Sequence, residues 1–258
     1  GSDVTDKFKV ASECYRWINN NISSVGITIN IIFETSTNES MIGAYHIRTE
    51  RNSLGKVRWW SKGLWDNLNS GSTPSTEVAV PTMTVSVDQN TSFPSRMVFW
   101  LENITTIRGI HFKFILGSKA NEFHTMFRAL TSNLTFTYCK VTVTSSNNLG
   151  RVFESVNGGL LRASSDLHNA STPGYEDPLT NGGRAHALEL DLVGCSSIGI
   201  IFVASSASAI ELIEFRAGAD RDLSGLHFTG NGTVTFDSFC HLQSASRFDI
   251  NTKVTRNT

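Results

Sequence analysis

Acidic and aromatic side chains gather in a polar stretch, residues 164–184, where Asp166 is followed by Tyr175, Glu176 and Asp177. An aromatic ring can stack on the apolar face of a sugar while carboxylates accept hydrogen bonds from its hydroxyl groups. A glycosidase would in addition need two acids held opposite each other. The spacing of these acids in the sequence does not require them to face each other. If the chain binds a glycan, we therefore expect the contact in this stretch, and the catalytic residues of an enzyme stay unknown.

A second group of aromatic residues, Trp59, Trp60 and Trp65, lies just before and within a Gly- and Ser-rich segment, residues 63–74, that we expect to be a loop. Adjacent residues of a strand point to opposite faces, so one of Trp59 and Trp60 can be buried while its neighbour is exposed. These tryptophans are the next candidates for a glycan contact. Trp100 is interpreted as a core residue.

Other kinds of chemistry find no support in the sequence. No nucleophile elbow, zinc-protease motif, phosphate-binding loop or dinucleotide fingerprint is present. The cysteines are far apart and lack metal-ligand spacing, which favours buried, reduced thiols. They are Cys14, Cys139, Cys195 and Cys240. We therefore expect no metal and no cofactor.

The composition narrows the classes of partner that the chain can bind. The formal net charge is −1 and only 17% of residues are charged, so the chain lacks the basic field that nucleic acid requires. No apolar run is long enough to cross a bilayer, which argues against membrane insertion. Ser, Thr and Asn make up 77 of the 258 residues, a bias that suits repetitive β surfaces. Gly1-Ser2 is typical of a cleaved tag, so we expect the natural chain to continue upstream.

The spacing of apolar residues is helical at the start of the chain and then changes to a period of two. Apolar residues at spacings of three and four predict a leading helix within residues 1–26 that Asp3 or Thr5 can cap. These are Phe8, Ala11, Tyr15, Ile18 and Ile22. From residue 27 to 258 short runs of period two alternate with turn residues, which predicts an all-β body with one loop excursion at 164–184.

Repeats suggest how these strands are arranged. The phrase Gly109-Ile110-His111-Phe112 recurs in kind at Gly225–Phe228, and local steps of 25 and 26 residues predict one coil of a parallel solenoid per 25 residues or so. Matching positions give His111 and His227 a structural role. The predicted inward side chains are Ile110, Phe112, Leu134, Phe136, Ile200, Phe202, Leu226 and Phe228. The alternative fold is a β-sandwich, which would be dominated by antiparallel hairpins.

An amphipathic helix followed by rungs of Thr- and Asn-flanked apolar triplets, over roughly residues 8–249, resembles the right-handed parallel β-helix body of bacteriophage tailspikes and tail fibres. The resemblance implies that the helix covers the open end of the β core and that three chains associate side by side. It further implies a virion tail protein that folds in the host cytoplasm, contacts other tail proteins and attaches to a bacterial surface polysaccharide. The chain departs from the family in its short length and in lacking a visible C-terminal trimerisation motif.

Two other functions stay open. One is a polysaccharide depolymerase, a glycosidase or lyase with paired carboxylates. The other is a non-viral adhesin or secreted β-solenoid. The low charge of the predicted β surfaces adds to the expectation of a homotrimer, since charged residues usually keep exposed strands apart.

Overall fold

The computed structural model describes residues 8–22, 26–41, 44–49, 55–70, 80–87, 95–116, 123–145, 149–163, 186–193, 197–213, 215–216, 222–231, 235–251 and 255–257. Within these ranges the elements are, in chain order, α1 (Ala11–Asn21), β1 (Thr28–Phe33), β2 (Thr37–Met41), β3 (Tyr45–Thr49), β4 (Lys56–Ser61), α2 (Lys62–Ser70), β5 (Thr82–Val87), β6 (Ser95–Leu101), β7 (Ile104–Arg108), β8 (His111–Leu116), β9 (Phe123–Leu130), β10 (Asn133–Thr137), β11 (Cys139–Ser145), β12 (Leu149–Val156), β13 (Leu160–Ala163), β14 (His186–Val193), β15 (Ser197–Ser205), β16 (Ala209–Ile213), β17 (Phe215–Arg216), β18 (Asp222–Asn231), β19 (Thr235–Leu242), β20 (Arg247–Asn251) and β21 (Thr255–Asn257).

The strands form three sheets in which each strand from β1 to β13 pairs with the third one along the chain, whereas β14, β15 and β16 pair with the fourth. Sheet 1 has the order β1-β4-β7-β10-β13-β16-β20, sheet 2 runs β2-β5-β8-β11-β14-β18, and sheet 3 runs β3-β6-β9-β12-β15-β19. Among the described strands the pairings are parallel, except for the short β17, which pairs antiparallel with β18. The chain is therefore mostly β-strand with parallel sheets, consistent with the predicted all-β parallel solenoid. A hairpin-based β-sandwich would pair its strands antiparallel.

The predicted coil of about 25 residues is too short. Thr28 pairs with Lys56, 28 positions on, and Leu134 pairs with Leu161, 27 positions on. Longer coils separate Lys56 from Ile104 by 48 positions and Leu160 from Ala209 by 49. The error arose because the spacing was measured between different sheets: Ile200 lies on β15 in sheet 3, whereas Leu226 lies on β18 in sheet 2.

One continuous core fills the space between the sheets, and most predicted inward residues lie in it. Ile110, Phe112, Leu134, Phe136 and Phe202 are fully buried. Ile200 is only half-buried, and the side chains of Leu226 and Phe228 lie outside the described residues.

The error at Ile200 has a local cause. Strands of sheet 3 place two adjacent residues in the core, which interrupts strict alternation and leaves Ile200 on the other face. The inward pairs are Val98-Phe99, Met126-Phe127, Val152-Phe153 and Ile201-Phe202.

Helix α1 packs against β2 and β3, the first strands of sheets 2 and 3. Ala11, Tyr15 and Ile18 of its apolar stripe are buried in the core cluster. The helix has no side-chain N-cap of its own. Instead, Glu39 of β2 accepts hydrogen bonds from the backbone amides of Ala11 (2.7 Å) and Ser12 (3.4 Å). The predicted caps, Asp3 and Thr5, lie outside the described residues, and the division of the chain at residue 26 stays a prediction.

Candidate functional site

The acidic and aromatic candidates of the 164–184 excursion, Asp166, Tyr175, Glu176 and Asp177, lie outside the described residues. Their role in glycan binding stays a prediction. The structure does show where the chain enters this segment. Strand β13 ends at Ala163 in sheet 1, the sheet that also carries the tryptophan candidates.

The adjacent tryptophans Trp59 and Trp60 of β4 face opposite sides of sheet 1. Trp59 points into the core with no exposed surface, and its Nε1 donates a hydrogen bond to the hydroxyl of Tyr15 on α1. A side chain in this position has no face left for a ligand. Trp60 belongs to a separate cluster with Leu64 and Trp65 of α2. The candidate surface for glycan contact is therefore the outer face of sheet 1, which carries Trp60, and not the inner face, which carries Trp59.

Helix α2 replaces the first part of the loop expected at residues 63–74. Within it, Lys62 Nζ lies 2.8 Å from Asp66 Oδ2, one helical turn away. Leu64 is buried and packs directly over Gly109, where a Cβ atom would lie 2.4 Å from Leu64 Cδ1. Gly109 also has a φ of +63°, which L side chains rarely adopt. A glycine at this position is thus what allows α2 to dock on the sheet.

Docking of α2 creates an aromatic pair. The ring centroids of Trp60 and Trp65 are 5.5 Å apart at an angle of 67°. Trp60 is 4% exposed, and its Nε1 donates to Asn30 Oδ1 at 3.2 Å. Trp65 stays half-buried. Trp60 therefore acts as a fixed platform, and Trp65 is the ring that a ligand can reach.

A guanidinium group stacks on the same platform. Arg108 of β7 lies beside Trp60 in the register of sheet 1, with Cζ 4.4 Å from the ring centroid. Its Nε and Nη1 atoms are buried and have no hydrogen-bond acceptor among the described residues. Burial, reinforced by the charge of Arg58, lowers the pKa of Arg108 to about 10. The group is still protonated at neutral pH.

On the outer face of sheet 3, two arginines that lie over a tryptophan have acidic side chains nearby. On sheet 3, Arg48 and Arg128 lie against Trp100 at 4.7 and 5.0 Å, so Trp100 is on the outer face and its assignment to the core is wrong. Both arginines there have acidic partners. Arg48 Nη2 lies 3.5 Å from Glu102 Oε1, and Arg128 Nε lies 3.5 Å from Glu154 Oε2.

Farther along sheet 1 the charges are likewise paired. Glu211 accepts from both Arg162 and Arg247 at 2.6 Å. For Arg108 and Arg58, by contrast, no carboxylate within the described ranges forms an ion pair. Of the three arginine–tryptophan contacts, the two at Trp100 have acidic partners, and the one at Trp60 has none in the described part of the chain.

The outer face of sheet 2 carries two described acids on one strand. Glu189 and Asp191 occupy alternate positions of β14, about 6.6 Å apart along the strand. Lys140 Nζ already lies 2.8 Å from Glu189 Oε1. His111, in the same column, contacts Thr142 Oγ1 at 2.8 Å, and burial together with Lys140 lowers its pKa to about 4. It is neutral at pH 7.

The described part of the chain contains no group of three His, Cys, Asp or Glu side chains that could hold a metal ion. Neither α1 nor α2, the helices in the described ranges, is long and apolar enough to cross a membrane. Cys14, Cys139 and Cys240 are free thiols, and burial raises the pKa of each to about 11.

Sequence reasoning missed Arg108. Its partner Trp60 is 48 positions away, because the coil between them contains α2 and is longer than the regular coils. A scan against protein-family models, a search of curated proteins and a search of solved structures each found no match to this chain. Function is therefore inferred from the geometry at Trp60, Trp65 and Arg108.

Proposed function

We propose that this chain is an attachment segment of a bacteriophage tail, a right-handed parallel β-helix that binds a bacterial surface polysaccharide. Three such chains associate side by side, and other tail proteins hold them in the virion. The proposal draws on the parallel three-sheet architecture, the leading helix and the exposed chemistry of sheet 1. Right-handed connections are the general rule for parallel strands of one sheet.

The observation that carries the binding function is the aromatic pair on sheet 1 with a cation stacked beside it. Glycan sites combine a ring that packs on the sugar with a few fixed hydrogen-bond donors. Trp65 supplies the ring and Arg108 the donors, and both rest on the buried Trp60. Sites built on regular elements hold their geometry better than sites on loops. This arrangement suits repeated, non-destructive attachment.

Side-by-side association is supported by the surface. Large apolar side chains on the outer faces keep between 36% and 46% of their surface exposed; these are Ile27, Ile32, Tyr45, Ile104, Ile115 and Leu242. Few charges oppose contact, since 17% of the residues are charged. Burial of such side chains between copies is favourable at roughly 25 cal/mol per Å² of apolar area.

A depolymerase is the second candidate, and Glu189 and Asp191 favour it. An inverting glycosidase holds its two carboxyl groups about 6.5–9.5 Å apart, and the Cα atoms of Glu189 and Asp191, on the same face of β14, are spaced by about 6.6 Å along the strand. The ion pair of Glu189 with Lys140 suits a fixed, charged carboxylate better than a proton donor. We therefore place binding first.

The test is adsorption of the purified chain to immobilised capsular polysaccharides and lipopolysaccharides, with a parallel assay for new reducing ends and unsaturated uronates. We expect adsorption without cleavage. Trp65→Ala should abolish adsorption, whereas Tyr45→Ala, which removes an exposed aromatic ring from sheet 3, should not. Tyr175→Ala and Glu176→Gln examine the 164–184 excursion in the same assay.

Two results would contradict the proposal. Absence of adsorption to every glycan would exclude an attachment function. Cleavage by the parent that Glu189→Gln abolishes would make the chain a depolymerase.

A further inference from the structure

We propose that the bound glycan is acidic, and that Arg108, assisted by Arg58, binds an anionic group of the sugar while Trp65 packs against its ring. This inference rests on the proposed attachment function and names the class of its ligand. The shared chemistry is an anion with oxygen acceptors. A uronate carboxylate, a sulfate ester and a phosphodiester are the possible sources.

The first step concerns the burial and the charge of Arg108. A buried charge is costly unless a partner compensates for it. Arg108 has two buried nitrogens without an acceptor among the described residues, and the neighbouring charge with the largest effect on its pKa is the like charge of Arg58. Such an arrangement is unfavourable in the free protein. The Arg108 side chain as a whole is only half-buried, and an anion at its accessible end would offset the charge.

The second step is orientation. The guanidinium group lies over the ring of Trp60, which is itself fixed by the hydrogen bond to Asn30 and by Leu64 of α2. A planar guanidinium held in one direction matches the geometry of carboxylate and phosphate oxygens. Little conformational freedom remains to be lost on binding, which favours affinity.

The third step is selectivity. A neutral sugar would cover Trp65 but leave the guanidinium without a counter-charge, so the site discriminates against it. Sheet 3 provides the contrast, because Arg128 also lies over a tryptophan, Trp100, but has Glu154 within 3.5 Å, a carboxylate that it shares with Arg151. The contact thus occurs with acidic partners at Trp100 and, among the described residues, without one at Trp60.

Stability separates a binding role from a structural one. Arg108→Met keeps an aliphatic stem on Trp60 and removes an uncompensated charge, so its Tm should equal or exceed that of the parent. Arg128→Met removes a compensated charge and should lower the Tm while leaving glycan binding unchanged. If Arg108 served only to stabilise the sheet, Arg108→Met would lower the Tm and leave the affinity for glycan unchanged.

The experiment measures binding of the full chain, Arg108→Met and Arg128→Met to uronate-containing capsular polysaccharides and to the same polymers after carboxyl reduction. Dextran sulfate, a phosphodiester-linked teichoic polymer and neutral dextran complete the panel. We expect binding to acidic polymers only, weakened at least about tenfold in Arg108→Met and retained in Arg128→Met. The preferred polymer identifies the anion.

Three outcomes would decide against the inference. Carboxyl-reduced and neutral polymers that bind as tightly as the acidic ones would overturn it and leave the attachment function standing. Unchanged affinity of Arg108→Met for the acidic polymers would do the same. Binding to no polymer would reject both the inference and the attachment function.

Discussion

At the scale of single residues, Glu39 links the leading helix to the first coil. Its side chain is 1% exposed and accepts hydrogen bonds from His46, from Thr37 Oγ1 at 3.2 Å and from the amide of Ala11. Burial alone would raise the pKa of Glu39, but these hydrogen bonds and the charge of His46 outweigh it and lower the pKa. A carboxylate at a helix N-terminus also interacts favourably with the helix dipole.

This pKa shift predicts acid sensitivity with a defined sign. Because the folded pKa lies below the ordinary value of 4.5, Glu39 stabilises the fold above that value and ceases to do so as the pH falls through the folded pKa. Glu39→Gln should cost about 1–3 kcal/mol at pH 7 and less at pH 3. Urea unfolding at both pH values measures the difference, and an equal cost at pH 7 and pH 3 would refute this role.

A second residue-scale prediction concerns Gly109. Gly109→Ala should destabilise the chain by roughly 1–2 kcal/mol through its positive φ, plus the cost of displacing Leu64. Gly158 is the matched control, because its φ is +77° and a Cβ there would meet no atom within 4 Å. We expect a larger loss of unfolding free energy, and weaker glycan binding, in Gly109→Ala than in Gly158→Ala. Equal losses would show that the contact with Leu64 is unimportant.

At the scale of elements, α1 shields apolar core surface beside β2 and β3. Ile18 is 3% exposed and lies in the core cluster. Ile18→Asp would bury an unpaired charge there and should cost about 3 kcal/mol or more. Asn20→Asp, on the exposed side of the same helix, should cost little. If Ile18→Asp melts at the temperature of the parent, α1 does not stabilise the β core.

The elements also show what the sequence could predict. Period-two patterns located most strands because alternation follows directly from strand geometry. Helix α2 was missed because it is short and polar, and its stability comes from Leu64 packing on Gly109, a contact between distant residues. Strand β9 was not predicted, because the apolar residues of segment 120–130 follow neither the helical nor the strand period clearly. The double inward positions of sheet 3 could have been found from the repeated aliphatic–Phe dipeptides.

At the scale of the whole molecule, stacked coils align equivalent side chains. In sheet 3 the rings of Phe99, Phe127, Phe153 and Phe202 form a continuous column with centroid separations of 5.1, 5.5 and 5.2 Å. The same alignment places Arg108 beside Trp60. Register, which single-sequence patterns do not reveal, thus determines both the core and the candidate site.

Association is the first whole-molecule prediction. If the exposed apolar side chains are buried between three copies, light scattering at micromolar concentration should give three times the 28.3 kDa mass of the chain. The mass should persist at high salt, because apolar contacts are not screened. A monomer at that concentration would rule out the side-by-side trimer.

The central claim, that sheet 1 and α2 form the glycan-binding surface, is tested most directly by hydrogen exchange with and without a bound acidic polysaccharide. We predict slower amide exchange across α2 and at the end of β4 in the complex, with no change in β6, β9 and β12 of sheet 3. Arg108→Met should lose this protection under the same conditions. Protection confined to sheet 2 or sheet 3, with α2 unaffected, would contradict the account.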